Sequence, residues 1–102
     1  MPRRETSLSE FIRDYLKDNG EAYVSELHRE YENYCEREDY SPPSYDSVRS
    51  TVWQLKQLYL IRPSRTEPVP GGIADRQYYE LSPGALDEDW SDPRGQLYPR
   101  DS

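Results

Sequence analysis

Hydrophobic positions in the first part of the chain recur at helical spacing. Leu8, Phe11, Ile12, Tyr15 and Leu16 fall at i, i+3, i+4, i+7 and i+8, which places all five on one helical face. Ser7 with Glu10 reads as a capping box at the start, and Asn19-Gly20 as a left-handed stop. Ala22-Tyr23-Val24 leaves room for at most one small strand before a second cap, Ser25. From Ser25 a second helix is predicted, with Leu27, Tyr31, Tyr34 and Cys35 on one side and Glu26, Glu30, Glu32, Glu36 and Arg37 mostly on the others. Asp39-Tyr40-Ser41-Pro42-Pro43 ends it, because proline donates no backbone hydrogen bond and restricts its predecessor.

Ser44 is placed to cap a third helix with a buried stripe of Val48, Val52, Leu55 and Tyr59, bordered by Thr51 and Leu58. Its opposite face carries Asp46, Arg49, Ser50, Trp53, Gln54 and Gln57. Leu60-Ile61-Arg62-Pro63 is extended, Pro68-Val69-Pro70-Gly71-Gly72 forms a tip, and Arg76-Gln77-Tyr78-Tyr79-Glu80-Leu81 returns with strand-like aromatic content, so a hairpin follows. Beyond Ser82-Pro83, Asp87, Glu88, Asp89 and Asp92 crowd around Trp90, which predicts a mostly irregular acidic tail. Within it, Gly84-Ala85-Leu86 can start a helical turn, and Trp90 or Leu97-Tyr98 can dock on the domain or on a partner. The chain thus divides into an N-terminal arm (1–6), a folded domain (7–81) and a tail (82–102), and the fold class is mainly α with a small β-hairpin.

In this order the elements resemble a winged helix-turn-helix. The run Ser44-Tyr45-Asp46-Ser47-Val48-Arg49 through Leu55, Leu58, Leu60 and Ile61 is similar to the recognition helix and first wing strand of winged-helix transcription regulators. Val24-Ser25-Glu26-Leu27 is similar to the start of their second helix. The resemblance implies three helices plus a two-stranded wing, and sequence-specific binding of double-stranded DNA, with helix 44–58 in the major groove and wing 60–81 on flanking backbone or minor groove. It also implies a homodimer on two-fold symmetric sites, with the first helix or the acidic tail as interface. Such regulators usually place a glycine where the recognition helix ends. Tyr59 stands there in this chain, and a tyrosine resists the left-handed cap, so the exit from the helix is expected to differ.

Charge adds a separate signal. The chain holds 20 acidic and 13 basic residues, and only Lys17 and Lys56 are lysines. An acidic, lysine-poor surface is what proteins of extreme halophiles carry, since net charge keeps them soluble when salt screens surface electrostatics. An acidic DNA mimic has a similar balance. Together with the resemblance, the composition points to a small regulator, a repressor, of a haloarchaeon, its plasmid or its virus, working in a high-salt cytoplasm. Residues 5–40 carry four basic and eleven acidic side chains, and residues 80–102 carry two and six. Residues 41–79 carry five basic against three acidic, net +2, so a polyanion should be steered to the third helix and hairpin. Arg49 points off the buried stripe and is the candidate for a guanine edge, with Tyr45, Asp46, Ser50, Trp53, Gln54 and Lys56 around it. Trp53 is equally suited to packing beneath the wing. Arg62, Arg65 and Arg76 would grip backbone or enter the minor groove, or would pair with Glu67 or Asp75. Ten tyrosines suit a wet core boundary, and Tyr31, Tyr34, Tyr78 and Tyr79 alternatively suit a subunit contact.

Other chemistry has little to stand on. One cysteine, Cys35, and one histidine, His28, give no disulfide framework and no structural zinc set, and both read as packing or surface residues of the second helix. No cofactor, metal, small-molecule substrate or membrane span is expected, and Met-Pro-Arg-Arg-Glu-Thr has no secretory apolar stretch. Without a glycine-rich phosphate loop or a convergent nucleophile and base, an enzyme is not expected. The alternatives are a winged helix used for protein contact, as an adaptor or viral structural component, and the DNA mimic. DNA binding predicts that Arg49→Ala and Arg65→Ala each weaken duplex binding.

Overall fold

The computed structural model describes residues 8–72, 74–88 and 90. The Ser7 cap, the arm 1–6 and docking by Leu97-Tyr98 lie outside the described residues.

Helix α1 spans Leu8–Asn19 and buries Ile12 and Leu16. It stops at Gly20, whose φ of +92° suits a residue without Cβ and whose N–H donates to the Leu16 carbonyl at 2.8 Å. Strand β1, Ala22–Tyr23, runs directly into α2, Val24–Glu38. Tyr23, and not Ser25, is therefore the N-cap of α2. The Glu26 carboxylate closes this helix start, accepting from the Tyr23 N–H at 3.4 Å and from the Tyr15 hydroxyl at 2.5 Å, which ties α1 to α2. Helix α2 ends on Asp39 in the left-handed region, with the Tyr40 N–H donating back to the Cys35 carbonyl.

Helix α3, Tyr45–Gln57, starts as its sequence suggests, with Ser44 Oγ accepting from the Ser47 N–H at 3.2 Å. It buries Val48, Thr51, Val52 and Leu55. Thr51 is tolerated inside because its hydroxyl donates to the Ser47 carbonyl at 2.9 Å. The expected stripe is corrected at its end: Tyr59 is 83% exposed. It also takes the left-handed conformation after all, at φ +62°. The Tyr59 N–H donates to the Lys56 carbonyl and the Leu60 N–H to the Leu55 carbonyl, each at 3.0 Å, and Leu55 and Leu60 are both buried. Those two bonds and the leucine contact make a Schellman stop. It holds a tyrosine where the left-handed backbone costs about 1–2 kcal/mol.

Strands β2, Ile61–Glu67, and β3, Arg76–Leu81, form the hairpin. The expected two-stranded wing is corrected to a three-stranded antiparallel sheet, in the order β1-β3-β2, because Ala22 and Tyr23 pair with Tyr79 and Tyr78. The fold is thus a mixed one of three helices and this sheet. Pro63 is accommodated because β2 is an edge strand, and the register shifts between Pro63 and Arg65. One core joins Ile12, Leu16, Leu27, Val48, Val52 and Leu55 of the helices to Ala22, Leu60 and Ile61. It extends past Leu81. A 3-10 turn at Ala85–Asp87 puts Ala85 into the core, and Trp90 is only 2% exposed, its indole N–H donating to the Ala85 carbonyl at 2.8 Å. Ala85 and Trp90, both after the hairpin, are therefore part of the core. No described helix is long and apolar enough to cross a membrane.

Candidate nucleic-acid interface

The buried stripe of α3 fixes what its other side presents. With Val48, Thr51, Val52 and Leu55 turned inward, Tyr45, Asp46, Arg49, Ser50, Trp53 and Gln57 are exposed, and Gln54 and Lys56 are half-buried. Of the seven expected residues of this helix, five are exposed and two, Gln54 and Lys56, are half-buried. Trp53 is 55% exposed and does not pack beneath the hairpin; with Arg49, Ser50 and Gln54 it lines an open cleft of about 340 Å³. The Arg49 guanidinium has Asp46 at 3.8 Å as its ion-pair partner, and both side chains are well exposed, so the pair is loose. Tyr45 rests edge-on against His28 with ring centroids 5.7 Å apart, which anchors the start of α3 on α2.

The hairpin arginines have a different environment, and strand register creates it. Arg62 stands opposite Glu80, Arg65 opposite Tyr78, and Glu67 opposite Arg76. Tyr79 and Leu81 pack against the core, so by strand alternation Arg76, Tyr78 and Glu80 lie on the outer face of the sheet. There Arg62 Nε donates to Glu80 at 2.7 Å. Arg65 reaches Glu21 at 2.7 Å and lies 3.9 Å above the Tyr78 ring. Arg76 lies 4.2 Å above the Tyr23 ring and 3.6 Å from Glu67, which also accepts from the Tyr78 hydroxyl at 2.8 Å. Tyr23 and Tyr78 meet edge to face. The shifted register at Ser64 lets its hydroxyl donate to Glu21 at 3.0 Å. The Arg65 hydrogen bond holds the Glu21 carboxyl below the usual carboxylate range, and the same bond raises Arg65 further. Hydrogen bonding to Glu67 pushes the Tyr78 hydroxyl up.

The net charge of +2 along residues 41–79 leaves out two of these partners. Glu21 and Glu80 lie outside that window; Glu80 stands opposite Arg62 by strand pairing and Glu21 reaches in from just before β1, so the hairpin arginines are matched by Glu21, Glu67 and Glu80. The local basic surface therefore contracts to Arg49 and Lys56 on α3. The four tyrosines considered for a subunit contact do not share one surface. Tyr31 and Tyr34 pack with Phe11 between α1 and α2, while Tyr78 and Tyr79 occupy opposite faces of β3. Among the described residues no group of three or more His, Cys, Asp or Glu side chains is placed to hold a metal ion.

Compared against protein families, curated proteins and solved structures, the chain matches none of them.

Proposed function

We propose that this chain is a winged helix-turn-helix regulator that binds double-stranded DNA through the solvent face of α3. The observation that carries the reading is that face itself: a guanidinium, a hydroxyl, two amides and an exposed indole on one side of a helix anchored by its other side, with a single carboxylate among them. Such groups suit hydrogen bonding to base edges in a major groove that admits a helix. The order of elements, with β1 completing the sheet beside the hairpin, agrees with a winged helix. The acidic, lysine-poor composition fits work at high salt, where counterion release gives little and contacts to bases and shape must carry affinity. A homodimer on two-fold sites and a role as repressor belong to the same reading. Arg65 moves out of the front rank of DNA contacts, because Glu21 neutralises it.

The test is selection of duplexes from a random pool by the full chain at molar KCl, followed by binding to the enriched site. One site should emerge, and Arg49→Ala and Gln54→Ala should lose it. A second reading has its own observation: Trp53, Leu58 and Tyr59 are exposed at the end of α3 while the hairpin cations are neutralised, a pattern that suits a protein contact. A pool that yields no enriched duplex favours that reading.

A further inference from the structure

Trp53 is the largest side chain on the presented face of α3, and it lies outside the core. It is 55% exposed although the neighbouring core takes in Val52 and Leu55 from the same turn. Its indole opens onto the cleft that Arg49, Ser50 and Gln54 also line. An indole exposed among hydrogen-bonding groups presents apolar area beside polar atoms, area that gains by being covered. A ligand that matches this face offers an apolar group beside polar ones. A peptide surface meets that need only in general terms. In a major groove the base edges offer one apolar group, the C5-methyl of thymine, beside the acceptors of guanine and adenine.

Resting on the DNA reading above, we propose that Trp53 is a specificity residue that recognises the methyl group of a thymine close to the guanine read by Arg49. Spacing sets where that thymine lies. Arg49 and Trp53 are four residues apart on one helix, about 6 Å along its axis, against roughly 3.4 Å per base-pair step. The thymine methyl consequently sits one or two steps from the guanine. Charge supports the occupant as well: Arg49, Lys56 and Asp46 leave this face slightly positive on a molecule of net charge −7. Ser50 and Gln54 on the cleft wall can bond the flanking base edges or phosphates.

The experiment removes the methyl alone. In the duplex selected by the full chain, each thymine is replaced in turn by deoxyuridine, and the guanine by 7-deazaguanine, which lacks the N7 acceptor. Affinity is then measured for the natural chain, Trp53→Ala, Trp53→Phe and Arg49→Ala. One deoxyuridine, within two steps of the guanine, should weaken binding by the natural chain about fourfold, the size of burying one carbon unit. Trp53→Ala should show no difference between thymine and deoxyuridine there while keeping its sensitivity to 7-deazaguanine; Trp53→Phe should keep both. Arg49→Ala should lose the 7-deazaguanine effect. If every deoxyuridine duplex binds the natural chain as well as its thymine parent while Arg49→Ala still weakens binding, the methyl contact is overturned and DNA reading stands. If no duplex is selected at all, both are overturned.

Discussion

The α3 face and the outer face of the sheet carry the same kind of residue in opposite states. Arg49 meets Asp46 only at 3.8 Å, whereas Arg62 and Arg65 are each held by a carboxylate at 2.7 Å, and Arg76, 3.6 Å from Glu67, lies like Arg65 over a tyrosine ring. A helix face exposes its side chains to water one by one. In the sheet Arg62 and Arg76 stand opposite Glu80 and Glu67, and Glu21 reaches Arg65 from just before β1, so cations and anions are brought together as the sheet forms. An arginine is available to a ligand according to its element and register as much as its identity.

The largest effect would remove both faces together. Trp90→Ala empties a site in the core shared by helices and sheet, and should destabilise the fold by about 3–5 kcal/mol, read as a lower midpoint in thermal unfolding. Binding sharpens the contrast. Arg49→Ala should weaken binding to the selected duplex by roughly tenfold or more, the value of one bidentate base contact, while Arg65→Ala changes it by less than about twofold. Equal losses from the two variants would erase the distinction between the faces. Smaller is the effect at the joint between them: Tyr59→Gly relieves the left-handed tyrosine that links α3 to β2, and should raise stability by about 1 kcal/mol in denaturant unfolding without altering binding.

Smallest is the release of a hairpin cation. Glu21→Gln leaves Arg65 without its nearest anion, and should tighten duplex binding about threefold and steepen its salt dependence by close to one phosphate contact. Acid should act in the same direction. Because Arg65 lowers the folded-state pKa of Glu21, the pair's stabilising contribution is present above the ordinary glutamate range and is lost as pH falls through the depressed value. Thermal unfolding across that acidic window should show a smaller loss for Glu21→Gln than for the natural chain. An identical acid limb in both would show that the pair contributes nothing.

Helical periodicity made α1, α2 and α3 legible, since each buries its apolar stripe in one core and leaves the remaining side chains outside. The solvent side of α3, where Tyr45, Asp46, Arg49, Ser50 and Trp53 are exposed, was legible for the same reason, because inside and outside follow from a spacing of 3.6 residues. The strand β1 is only two residues long, too short for any periodicity, and becomes a strand by pairing with β3. The tail's Trp90 has no amphipathic pattern around it, so its burial depends on the space the core leaves.

What the sequence alone determined here is local: three helix faces, the Ser44 cap, the proline break and the hairpin tip. Tertiary structure decided which charges cancel and that Ala85 and Trp90 join the core. Glu21 meets Arg65 across 44 residues of chain, and no window of sequence contains that pairing. Glu21 precedes β1 and Arg65 lies on β2, two strands separated by β3, so the contact arises from the layout of the whole sheet and not from separation along the chain.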